Sequence, residues 1–213
     1  MNVKLKFMKG MTTNILILGF VSLFTDASSQ MVFPLIPLFL TSVLGAGGTV
    51  VGFVEGAAET AASLLKVFSG YWSDKIRRRK PFVLAGYGLS SVMKPLFAFS
   101  FVWQTVFAIR IVERVGKGVR NAPRDVIIAD SCDAAVRGKA YGIHRFMDGM
   151  GSTLGALLAF VFLPLLGFRK VFLAAFFPSI IAVGLIFFVK EKKHEAPAPS
   201  SLEISLKALT PQL

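Results

Sequence analysis

Six mostly apolar stretches occupy most of this chain, each long enough to cross the hydrocarbon of a bilayer as a helix. They cover residues 14–40, 49–72, 81–102, 104–128, 139–165 and 170–189. About 20 apolar residues suffice for one crossing. A soluble core made from 213 residues could not absorb six such runs, and a hydrophobic share of 54% with a mean hydropathy of +0.65 agrees with that exclusion. The expected fold is an all-α membrane protein of six transmembrane helices. The first run continues beyond Leu40 without a small-x-small site before Pro34, so it does not read as a cleaved signal peptide.

The net charge of +12 would suit a nucleic-acid binder, but the placement of the cations argues for a membrane and against nucleic acid. Lys4, Lys6 and Lys9 precede the first span. Lys75, Arg77, Arg78, Arg79 and Lys80 fill the second linker, Arg137 and Lys139 the fourth, and Lys190, Lys192 and Lys193 follow the last span. The first linker and the third carry no charge, and the fifth has only Arg169 and Lys170. Positive charge concentrates on the cytoplasmic side. Both termini are therefore expected in the cytoplasm, with the lipid bilayer as the first partner; the resemblance given below implies a bacterial-type inner membrane.

The domain reading is a bundle over 1–189 and a cytoplasmic linker over 190–213, rich in Ala, Pro and Ser. Apolar residues at 202, 204, 206 and 209 fit a short surface helix. A linker with no domain after it reads as a truncated chain. Cys132, the lone cysteine, excludes an intrachain disulfide and reads as an inert thiol.

Ionisable residues inside the spans are costly, roughly 2.5–3.5 kcal/mol each, and normally face a bundle interior or a water-filled cavity. At 100° per residue, Glu55, Glu59 and Lys66 form one stripe on the second span. Arg110, Arg114, Lys117, Asn121 and Arg124 form another on the fourth, with Glu113 at its edge. The first span adds Asp26, the third Lys94 and the fifth Asp148. Helical rise puts Asp26, Glu59 and Arg114 near the midplane. It puts Glu55, Lys94 and Arg110 in an outer layer and Lys66, Lys117 and Asp148 in an inner one. Each layer mixes signs, which predicts internal pairing. Asp26, Glu55, Glu59, Lys94, Arg110, Glu113 and Arg114 are the candidate lining of a substrate or proton path. The alternative is a set of static ion pairs that hold the helices together.

At the end of the second span stand Gly70, Asp74, Lys75, Arg77, Arg78, Arg79 and Lys80. Their spacing resembles the loop signature of the major facilitator superfamily, Gly-x-x-x-Asp-(Arg/Lys)-x-Gly-(Arg/Lys)-(Arg/Lys). Gly70, Asp74, Lys75, Arg78 and Arg79 match, while Arg77 takes the usual Gly slot. In the fourth span Arg110 and Gly116 match that family's Arg-x-x-x-Gly-x-Gly, with Arg114 in place of the first Gly. The stretch from Arg110 to Ser131 looks like a poorly characterised bacterial exporter-like branch. The fifth span carries Gly151 and Gly155, where exporters often add a Pro and this chain has Ala156; close helix packing is the plainer account of the pair.

The resemblance implies one half of the family's fold, built of two inverted three-helix units, and a secondary transporter of a small solute that works by alternating access. It implies a proton as coupling ion, export as a direction, a cytoplasmic latch at Asp74 near the positive amino-terminal end of another helix, and a role for Arg110 in proton transfer. It also implies a missing six-helix half, supplied by a longer chain or a second copy. Two other classes stand beside this reading. A membrane sensor or structural protein would use the buried charges without moving a solute. An enzyme finds little support: Asp125, Asp130 and Asp133 lack a metal-diphosphate spacing, His144 and His194 read as surface residues, and Gly116-Lys117-Gly118 is not a phosphate loop. No metal or cofactor is expected.

Overall fold

In a computed structural model, residues 10–76 and 78–191 are described. Lys4, Lys6, Lys9, Arg77, Lys192, Lys193, His194 and the surface helix expected near 202–209 lie outside them.

Helix α1 spans Thr13–Val32 and α2 spans Leu35–Ser42. Together they make the first expected span. Pro34 separates them, because its ring removes an N–H and clashes with the preceding turn. Helix α3, Gly48–Ile76, follows a turn in which Gly45 has φ 65°. Helix α4, Lys80–Leu96, starts with Pro81 in its first turn, where a missing N–H costs nothing. A 3-10 turn, Phe97–Phe99, extends it until Ser100 turns to extended backbone. The third helical stretch therefore stops short of the expected residue 102. Helix α5 spans Trp103–Asp130.

Helix α6, Arg137–Ala174, contains a break at Gly167, whose φ of 72° and ψ of 167° are not helical. Helix α7, Phe176–Ile186, follows. The expected fifth span thus ends at Gly167, and the sixth is interrupted near Ala175. Thr13–Ser42, Lys80–Phe99 and Ala134–Ile186 are long and apolar enough to cross a membrane. Helices α3 and α5, at 29 and 28 residues, are long enough as well but carry the ionisable stripes.

Helix α5 lies between α3 and α4, α1 packs along α6 and α7, and α4 meets α7. Small residues set the closest approaches. A Cβ on Gly151 would come 2.2 Å from the Leu23 carbonyl oxygen, and one on Gly155 equally close to that of Ala27. On α5, a Cβ at Gly116 would lie 2.7 Å from the Gly86 carbonyl, and one at Gly118 2.7 Å from that of Ala62. Gly116 and Gly118, two residues apart, let α5 touch α4 and α3 at once.

Two apolar clusters close the ends of the bundle. One gathers Phe39, Phe97, Val106 and Phe172; the other gathers Ile15, Leu18, Val83, Ile128 and Ile186. Along α1, α4 and α5, Asp26, Lys94, Arg110, Glu113 and Arg114 fall between the segments that supply the two clusters.

Candidate functional site

Positions 110, 113 and 114 of α5 face inward because helical neighbours three and four apart share a face. Arg110 is 1% exposed, Glu113 0% and Arg114 9%. Arg110 grips Glu55 of α3 with two nitrogens, at 2.7 and 3.1 Å, and gives a third bond to Glu113 at 3.2 Å. Two parallel bonds of this kind are the strong form of an arginine–carboxylate contact. Ser90 of α4 donates to Glu113 at 2.8 Å. Arg114 reaches Glu59 at 3.3 Å and Glu113 at 3.9 Å.

The result is one chain of alternating sign, Glu55–Arg110–Glu113–Arg114–Glu59, bridging α3 and α5. Phe33, at the α1–α2 break, covers it: its ring centroid lies 3.9 Å from the Arg110 guanidinium and 5.2 Å from that of Arg114. The arginine side is closed and the α3 side open, with the Glu59 side chain 60% exposed.

Lys94 does not join this chain, contrary to its expected place beside Glu55 and Arg110. It is fully buried and donates to the Ser28 hydroxyl at 2.9 Å and the Thr25 carbonyl at 3.4 Å. Ser28 in turn donates to the Ala175 carbonyl at 2.6 Å. The lysine thus ties α4 to α1 and to the α6–α7 junction. The difference is rotational: depth follows from residue counting, but which neighbour Lys94 faces depends on how α4 is turned.

Asp26 was expected with Glu59 and Arg114, yet it makes no hydrogen bond or ion pair among the described residues. Its electrostatic neighbours are Asp148, Arg120, Arg124 and Lys94. Asp148 accepts from Ser22 and lies 3.3 Å from His144 Nδ1 and 3.6 Å from Arg145. Lys66 is exposed, and Lys117 is half-buried on α5. The three residues expected in the inner layer therefore do not pair with one another. Arg124 binds its neighbour Asp125 at 2.9 Å.

Sequence reasoning missed two buried groups. His144, read as a surface residue, is 2% exposed. It lies one helical turn before Asp148, and that spacing was the available signal. Arg120 is 4% exposed, with its guanidinium 4.2 Å over the Tyr87 ring and with Nε and Nη1 lacking a hydrogen-bond partner. Tyr87 lies on another helix, so no linear spacing announces that contact.

At the far end of α3, Arg79 bonds Asp74 and Asp130, each at 3.2 Å. The Asp74 side chain is 60% exposed, with Arg79 as its ion-pair partner. Lys75 and Arg78 are exposed. A Cβ on Gly70 would sit 3.4 Å from Ala122, at the α3–α5 contact. Among the described residues no group of three side chains could hold a metal ion.

Comparison with known proteins gives the chain its family. Residues 18–211 match the profile of the Major Facilitator Superfamily. An uncharacterised MFS-type transporter of Methanocaldococcus jannaschii is 39% identical over 92% of this chain and 48% of its own length. The multi-drug resistance efflux pump PmrA of Streptococcus pneumoniae is 29% identical over 84% of this chain and 45% of the pump. The crystal structure of a D-xylose-proton symporter superposes with a TM-score of 0.68 at 16% identity, covering 83% of this chain and 48% of the symporter. The chain spans about half the length of the relatives it matches.

Proposed function

The chain belongs to the major facilitator superfamily, and from that premise we propose that it acts as the six-helix half of a secondary transporter that moves a small solute by alternating access. A protein of this family is an integral membrane protein, and the Methanocaldococcus jannaschii relative is named as a transporter. The observation that carries the reading is the charged chain between α3 and α5. Two arginines are buried inside the bundle while their carboxylate partners Glu55 and Glu59 open to one side. A bundle that needed only cohesion would gain as much from apolar packing, since buried ion pairs add little net stability.

The division into two inverted three-helix units is supported by how the helices pair. Taking α1 and α2 as the first span, and the α6 segment after Gly167 with α7 as the sixth, the α3–α5 contact has its counterpart in α6–α1. The α5–α4 contact likewise matches α1–α7, and α4–α7 joins the units. Inverted repeats of this kind are common in transporters. The second half comes from a longer polypeptide or a second copy. The apparent mass of the protein in its own membranes separates these: a product near twice 23.1 kDa indicates the former.

Proton-coupled export is the direction and coupling we assign. Asp26 supports the coupling, since an inward acid with no ion-pair partner among the described residues suits proton exchange. Similarity to a multi-drug efflux pump supports the direction. The test is Asp26→Asn and Glu59→Gln, each assayed for solute-driven proton movement in membrane vesicles. Both should abolish it while leaving the protein in the membrane. Full activity in both would remove the reading. A sensor that binds without transport would show ligand binding but no counterflow of labelled ligand.

A further inference from the structure

Lys190 and Glu191 open the stretch that sequence reading assigns to a linker, yet both are tied into the bundle. Asn14 of α1 accepts from the Lys190 N–H at 3.0 Å and donates to the Lys190 carbonyl at 2.6 Å and to the Ser131 hydroxyl at 3.1 Å. With Lys190 held, Glu191 is aimed at the start of α4. Its carboxylate accepts from the Arg79 N–H at 2.5 Å and the Lys80 N–H at 3.2 Å. The favour is returned by Lys80, whose Nζ donates to the Phe187 and Val189 carbonyls, both at 2.8 Å.

Each helix end therefore receives what it lacks. The amino terminus of α4 has unpaired N–H groups and a positive dipole end, and it meets a carboxylate. The carboxyl terminus of α7 has unpaired carbonyls and meets an ammonium. Arg79 is common to both parts of this cluster: Glu191 holds its backbone while Asp74 and Asp130 hold its side chain.

We infer that Glu191 is a positioning residue for the loop signature. It fixes the backbone of Arg79, and through that backbone it sets the Asp74–Arg79–Asp130 chain on which closure of this side depends. The segment leaving α7 is thereby a control strap as well as a connection. The inference rests on reading the loop signature as a cytoplasmic latch.

The test uses the full chain in lipid nanodiscs, with Cys132→Ser removing the native thiol and Ser63→Cys as reporter. Ser63 is exposed on α3 between Glu59 and Lys66. Two quantities are read: amide exchange at Arg79 and Lys80, and the rate at which a water-soluble maleimide labels position 63. Glu191→Ala should speed exchange at the two amides roughly 2- to 30-fold, the range for loss of a helix cap. It should also raise the labelling rate, with Glu191→Asp restoring both. Unchanged exchange would overturn the inference. Faster exchange with unchanged labelling, where Asp74→Asn does raise labelling, would reduce Glu191 to a plain cap and overturn it too. Unchanged labelling in both Glu191→Ala and Asp74→Asn would remove the latch reading itself, and the inference with it.

Discussion

Glu113 has no exposed surface, and its carboxylate shares Arg110 with Glu55. Removing one member of a buried ion pair leaves an uncompensated charge and costs about 3–5 kcal/mol, whereas replacing both by apolar groups can be nearly neutral. Arg110→Ala should therefore sharply lower the thermal stability of the purified protein. Arg110→Met combined with Glu113→Leu should be more stable than Arg110→Ala, although it should not transport. If the double variant were the less stable, the pair would be holding the bundle together and the static reading would gain. Asp26 makes a different case. It has no ion pair among the described residues, so Asp26→Asn should leave thermal stability close to that of the parent while removing proton movement.

Among the elements, the contact between α1 and α6 is set by Gly151 and Gly155. Alanine at either position would place a Cβ about 2.2 Å from a carbonyl oxygen, so the helices must move apart. Overpacking of this kind costs typically about 1–3 kcal/mol. Gly149, on the same helix with open space around it, serves as the control. Gly149→Ala should be neutral or stabilising by up to about 1 kcal/mol, because alanine favours the helix. Denaturation curves for the three variants check the contrast, and a destabilised Gly149→Ala would undo it. Gly116 and Gly118 extend the same logic to α5, where either substitution should separate a different pair of helices.

For the whole molecule, the distribution of Lys and Arg assigns sides to the loops. On a Cys132→Ser background, Lys75→Cys should react with an impermeant maleimide only from the cytoplasmic face. Gly47→Cys, in the turn between α2 and α3, should react only from the opposite face. Labelling of both from one side would break the assigned topology, and with it the cytoplasmic placement of the loop signature and of the strap at Glu191.

The long apolar runs, the cationic linkers and the Gly70–Asp74 spacing are local features, so the sequence by itself determined a membrane-embedded all-α chain and the family to which it belongs. The stripe on α5 was legible for the same reason, since helical periodicity acts over a few residues. Which charges meet was decided only by tertiary structure. Residue counting gives Lys94 and Glu55 the same expected depth, yet α4 is turned so that Lys94 serves α1. Arg120 is buried against a tyrosine from another helix, and Glu191 caps a helix that begins 111 residues before it. Such contacts depend on the rotation and closeness of helices, which the glycine contacts fix in three dimensions and no periodicity along one helix encodes.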